Sequence, residues 1–170
     1  MDVNVLKKSV IPVLSLLFLA AITACTGECL DNRNSIGLAG FYDSATKKEV
    51  SIDSISVFGV GAPNDSMLVR NGRGVKQVYM PFRINASTVQ FCFRYEQKAL
   101  NFPQLNDTLT INYDPVPYFA SKECGVMYIF SIKDFSCTSH LIDSVAIPTM
   151  QITNVDRQTI EIYFRTSNSN

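Results

Sequence analysis

Between Ile36 and Phe164 the chain holds a series of short runs in which apolar side chains recur at every second residue, with no ten-residue stretch of helical spacing, and this pattern limits the available folds more than any other property of the chain. Val89, Phe91, Phe93 and Tyr95 fall on one side against Gln90, Cys92 and Arg94 on the other. Leu109, Ile111 and Tyr113 alternate with Thr108, Thr110 and Asn112. Successive side chains of a strand point to opposite faces, so each run makes a ribbon with one face to bury.

The same period appears in Ile36, Leu38, Gly40 and Tyr42 against Gly37, Ala39 and Phe41. It returns in Ile55 and Val57, in Met80, Phe82 and Ile84, and in Ile160, Ile162 and Phe164. Val126 to Ile132 is almost continuously apolar and predicts a central strand. Asn85-Ala86-Ser87 predicts a hairpin turn between two of these runs. Gly59 to Gly74, with its glycine and proline breaks, predicts a long loop, and Arg165 to Asn170 a frayed polar tail. Seven to nine short strands at this spacing predict an all-β domain over residues 36–165, an antiparallel β-sandwich of immunoglobulin-like or Greek-key type, with 166–170 as the tail.

Ahead of that domain, Lys7 and Lys8 precede an apolar run from Val10 to Ala21 of about a dozen residues, well short of the roughly 20 that cross a bilayer. Basic residues, a short apolar core and then small residues make a secretory signal. Its end, Ala21-Ile22-Thr23-Ala24-Cys25, resembles the bacterial lipobox. The resemblance implies cleavage after Ala24 and acylation of the Cys25 thiol, with residues 1–24 lost and 25–35 left as lipidated cysteine and tether. Each buried methylene of an acyl chain contributes about 0.8 kcal/mol, so several chains hold a protein on a membrane.

Removing the first 24 of 170 residues leaves 146, enough for one domain with its own core. The whole chain carries 15 basic and 15 acidic residues, and losing Lys7, Lys8 and Asp2 leaves 13 against 14. That balance, without a basic run, argues against nucleic acid or anionic lipid as partners. With Cys25 assigned to lipid, Cys29, Cys92, Cys124 and Cys137 remain. An even number in an exported chain predicts two disulfides. Of the three connectivities, Cys29 with Cys124 and Cys92 with Cys137 is preferred. No two of the four lie two to four residues apart, as a zinc site requires, and neither metal nor other cofactor is expected.

His140 is the only histidine, so any triad must be built around Thr138-Ser139-His140. No G-x-S-x-G elbow accompanies it, and beside Leu141 and Ile142 it reads as a turn or strand-edge residue. Asp31-Asn32-Arg33-Asn34 is broken by an arginine and lacks the spacing of a calcium loop. Gly72-Arg73-Gly74 lacks the Lys-Ser/Thr end of a phosphate loop. Aromatic residues form 11% of the chain, none of them tryptophan. Most fall on core positions, whereas Tyr79, Tyr118 and Phe119 are placed to stack on a sugar or a partner.

One tripeptide, Asp-Ser/Thr followed by a methyl-bearing residue, occurs five times, at Asp43-Ser44-Ala45, Asp53-Ser54-Ile55, Asp65-Ser66-Met67, Asp107-Thr108-Leu109 and Asp143-Ser144-Val145. Composition alone predicts on the order of 0.6 occurrences. It resembles the O-glycosylation sequon of exported Bacteroidota proteins, which implies Ser44, Ser54, Ser66, Thr108 and Ser144 as candidate acceptors. The competing reading is a polar turn handing over to a strand, since Asp and Ser favour turns.

Phe41-Tyr42-Asp43, Asp107-Thr108-Leu109-Thr110-Ile111-Asn112-Tyr113, Cys124-Gly125 and Ile160-Glu161-Ile162-Tyr163 together resemble an uncharacterised family of Bacteroidota lipoproteins, a domain of unknown function. The resemblance carries no activity with it. The expectation is a lipid-anchored protein of the bacterial envelope, placed at the outer membrane, without enzymatic activity and acting as an interaction or scaffolding module for an envelope protein. A glycan-binding accessory of polysaccharide uptake is the alternative, and a hydrolase using His140 a distant third.

Overall fold

The computed structural model describes residues 35–63, 67–122 and 125–166. Among them ten strands form two sheets: β1 Ile36–Asp43, β2 Ile55–Gly59, β3 Met67–Gly72, β4 Gln77–Pro81, β5 Thr88–Tyr95, β6 Asp107–Ser121, β7 Gly125–Cys137, β8 Ile142–Ala146, β9 Gln151–Ile152 and β10 Gln158–Phe164. The four-stranded sheet runs β4-β1-β10-β8 and the six-stranded sheet β3-β2-β5-β6-β7-β9. The fold is all-β, and its two sheets form a sandwich around one core. β1 and β10 run parallel, the exception to the antiparallel pairing expected throughout. Termini that meet in the middle of one sheet fix both ends of the domain in register.

The period-two reading places most of the core, whereas the run Val126 to Ile132, expected as a central strand, has partners on both sides only at Phe130 and Ser131 and leaves Val126 exposed. Ala39 and Phe41 of β1, and Ile160, Ile162 and Phe164 of β10, face Ile55, Val57, Phe91, Phe93, Leu109 and Ile111 of the opposite sheet, all buried in one cluster. Phe41 makes edge contacts with Phe164 at 5.1 Å and with Phe93 at 6.5 Å between ring centroids. Such offset aromatic pairs add to the stabilisation from buried area.

Two connections differ from the expectation. Residues 59–74 hold β3, paired with β2 through Phe58 and Met67 and through Ile55 and Gly72. Its breakers, Gly61 and Gly74, take positive φ in the turns that flank it. Asn85-Ala86-Ser87 is not a hairpin turn, because β4 and β5 belong to different sheets. Phe82 explains the crossing. Its ring lies 4.9 Å from that of Tyr113 and stacks at 5.2 Å on that of Phe130, both on the six-stranded sheet. The Arg83 carbonyl then accepts the Tyr113 hydroxyl at 2.9 Å. Burying Phe82 between the sheets carries the chain across after Pro81, where a two-residue turn would have left it on one sheet.

Thr166 and Arg165 are also tied to the domain, Thr166 through its hydroxyl to Asp43 and Arg165 to Asp143, so the expected tail begins later than Arg165. Replacing Phe41 by alanine, with the ring's contacts to both sheets lost, is expected to cost about 3–5 kcal/mol in urea unfolding; a loss below about 1 kcal/mol would mean that the core is not shared between the sheets.

Candidate functional site

Two places concentrate polar chemistry or exposed apolar surface, and they sit at opposite ends of the six-stranded sheet. At the first, where β5 ends and β6 begins, Asp107 is fully buried. Its carboxylate accepts five hydrogen bonds. Oδ1 takes the Thr138 hydroxyl at 2.9 Å and the His140 N–H at 2.8 Å. Oδ2 takes the Tyr95 hydroxyl at 2.7 Å and the N–H groups of Leu141 and Ile142, both at 2.9 Å. Thr138 Oγ1 in turn accepts the Thr108 N–H at 2.8 Å. A carboxylate so fully bonded stands in for water on every donor around it, and this is what permits a charge in the interior. Burial, and then the Asp107 charge, raises the Tyr95 phenol far above its ordinary range, so it remains a donor.

This cluster also bears on Thr138-Ser139-His140, read from sequence as a turn or strand edge with a triad as the distant alternative. Ser139 and His140 are adjacent and exposed on the link from β7 to β8. The Ser139 hydroxyl accepts from Arg165 Nη2 at 3.0 Å, and Asp107 holds His140 by its backbone N–H. A triad needs the acid on the imidazole and the imidazole on the serine hydroxyl, and the bonds recorded here run elsewhere.

Asp43, Asp53, Asp107 and Asp143 of the repeated tripeptide have structural work, and Asp65 lies outside the described residues. Asp43 Oδ1 accepts the Thr46 N–H at 2.6 Å, closing the turn after β1. Hydrogen bonds from Thr166 and then Thr46 hold its carboxyl down at about 2. Asp53 Oδ1 accepts the Gly74 N–H at 2.6 Å just before β2, and Asp143 pairs with Arg165 at 2.9 Å. Of the candidate acceptors, Ser44, Ser54 and Thr108 are half-buried and Ser144 is exposed on edge strand β8. Ser66 lies outside the described residues.

The cysteine pairing needs correction. Cys92 and Cys137 are both free. Cys92 pairs with Thr108 across β5 and β6, and Cys137 pairs with Leu109 across β6 and β7. Thr108 and Leu109 are successive, so the two sulfurs belong to opposite faces with β6 between them. Two strand spacings of about 4.8 Å exceed the roughly 7 Å within which Cα atoms can be bridged. Burial raises both thiols, that of Cys137 to about 12. Cys25, Cys29 and Cys124 lie outside the described residues.

At the other end β6 and β7 outrun their neighbours. β5 pairs with β6 no further than Asn112, and β9 pairs with β7 only at Phe130 and Ser131. Beyond these the two strands continue as a ribbon in which Val116 pairs with Ile129, Tyr118 with Met127 and Phe119 with Val126. Val116 is 38% exposed, Tyr118 52%, Phe119 62% and Val126 57%. At the ribbon's base an open groove of about 450 Å³ is lined by Ser35, Ile36, Phe82, Ile84, Val126 and Tyr128, among others. Ser35 closes it by donating its hydroxyl to the Tyr128 carbonyl at 2.6 Å. Tyr118 and Phe119 are both on strand β6, and being successive they face opposite ways. The ribbon itself escaped the sequence reading, although its charge-poor composition signals it.

A family of unknown function, DUF6452, matches residues 54–164, from the residue before β2 to the end of β10. The chain belongs to that family. The DUF6452 match stops short of β1, although β1 lies between β4 and β10 in the structure. No curated protein and no solved structure matches the chain.

The Asp107 cluster yields a direct test. Asp107→Asn replaces one carboxylate oxygen with a donor that faces at least two other donors, and stranding them is expected to cost about 2–5 kcal/mol in urea unfolding. Exposed Asp134→Asn should stay within about 0.5 kcal/mol of the parent. Equal effects from the two would show that the cluster is not a stabilising centre.

Proposed function

We propose that the chain is a bacterial lipoprotein anchored to the outer membrane by acyl groups on Cys25, and that its sandwich is a non-enzymatic module for holding another envelope protein. The observation that carries the anchor is the order Lys7-Lys8, apolar run, Ala21-Ile22-Thr23-Ala24-Cys25, with β1 beginning eleven residues after the cysteine. The membrane-distant role follows from the sheet edges. β8 ends the four-stranded sheet with no further strand beside it among the described residues. An extended segment from a partner can add there through main-chain hydrogen bonds.

The other readings have less behind them. A sugar platform from Tyr118 and Phe119 needs one shared face, and they point to two. A hydrolase needs the Ser139 and His140 side chains in concert, and Arg165 occupies the former. For the disulfide, the pairing retained is Cys29 with Cys124. Both of these cysteines lie outside the described residues. For O-glycosylation the retained site is Ser144, since a bulky sugar requires an outward, solvated position.

Cys25→Ser tests the anchor. The variant is expected to keep its β-sheet circular dichroism and to leave the membrane fraction, while the intact mass of the parent carries acyl groups. Retention of the variant in membranes, or a parent without acyl mass, would contradict the reading.

A further inference from the structure

The ribbon of residues 115–121 and 125–129 has both of its long edges blunted and both of its faces apolar. Along the β6 edge, Pro115 and Pro117 have no N–H to offer, and being two residues apart they turn the same way, which suits the edge left without a partner beyond Asn112. Along the β7 edge, the Tyr128 carbonyl is taken by Ser35. Strand addition is thus poorly served here, and what the ribbon presents is side chains. Val116 and Tyr118 are exposed on one face, Phe119 and Val126 on the other. A protein surface covers one face of a ribbon, whereas a lipid interface surrounds both.

The position of the ribbon selects between these. Ser35, at its base, is separated from Cys25 by nine residues, a span of at most about 35 Å. An anchor on Cys25 therefore keeps this end of the sandwich near the bilayer, and the Asp107 end lies at the far side of the six-stranded sheet. Between Asp114 and Lys133 the sequence has only two charged residues, Lys122 and Glu123, both in the segment that joins the strands, so the strand faces carry no charge to desolvate while that segment itself has to stay among the polar headgroups. Exposed Ile84, across the groove from Val126, widens the apolar surface, and exposed Arg83 beside it suits lipid phosphate. Tyrosine with neighbouring aliphatic groups is the composition that settles at the boundary between headgroups and acyl chains.

We propose that this ribbon, with Ile84, dips into the lipid interface and forms a second, side-chain contact that orients the domain on the membrane. The proposal rests on the anchor at Cys25. Because the chain has no tryptophan, single substitutions report depth directly. Phe119→Trp and Tyr118→Trp place the probe on the two faces, and Phe102→Trp places it on an exposed site at the Asp107 end. None of the three positions is in the core, so folding should persist.

The acylated full chains are reconstituted into vesicles of phosphatidylethanolamine and phosphatidylglycerol containing lipids brominated on the acyl chains. Flotation reads the anchor, and tryptophan quenching reads the ribbon. Flotation with blue-shifted, quenched emission at positions 118 and 119, and unquenched emission at 102, is the expected result. Flotation with all three positions unquenched overturns the ribbon proposal alone. Emission that is blue-shifted yet unquenched assigns the ribbon to a protein or a second copy and also overturns it. Chains that do not float remove the anchor, and the ribbon proposal with it.

Discussion

The carboxylate of Asp107 holds the point at which the chain leaves the six-stranded sheet for the four-stranded one. Tyr95 comes to it from β5, Thr138 from the end of β7, and the N–H groups of His140, Leu141 and Ile142 from the link into β8. Without an acceptor there, three successive N–H groups would go unpaired, that of Ile142 buried and those of His140 and Leu141 part-buried, and a buried one left so costs about 1–3 kcal/mol. With it, the link becomes a rigid corner that sets β8 against β10, and Arg165 closes the outer side by donating to the carbonyls of Ser139, His140 and Ile142. The exposed Ser139-His140 pair is part of that corner, which accounts for residue types that otherwise invite a catalytic reading.

A sandwich fastened at this end leaves its other end free to vary. There the two longest strands continue past their neighbours, and the chain enters β1 alongside them through Ser35. The polarity of the domain follows: a hydrogen-bonded, charge-bearing corner at one end, and an apolar ribbon and groove at the other, beside Ser35. An anchor at Cys25 and a ribbon suited to lipid would act on the same end of the molecule, which leaves the β8 edge and the Asp107 corner facing outward to a partner.

Much of this was legible in the sequence because burial in strands obeys a local rule. The alternation of Leu109, Ile111 and Tyr113 fixes their faces whatever the fold around them, and the same holds for Ile160, Ile162 and Phe164. What was not legible depended on partners distant in sequence. Phe82 crosses between the sheets because Tyr113 and Phe130 await it, so the turn after Ile84 could not be read as a hairpin from its own residues. Asp107 was visible as the first residue of Asp-Thr-Leu, but its donors at Thr138 to Ile142 lie more than thirty residues on. Cys92 and Cys137 were paired by counting, whereas the faces of β5 and β7 decide the matter. β3 was hidden by Gly61, Pro63 and Gly74, which bound a strand as readily as they make a loop.

Hydrogen exchange at the amides of His140, Leu141 and Ile142 tests the central claim most directly. These lie at a surface link, where exposed amides exchange readily, yet each donates to Asp107. If Asp107 fastens the two sheets, the three amides exchange as slowly as those of Leu109 and Ile111 in the core. Exchange at the rate of an exposed turn, with the core amides still protected, would contradict it.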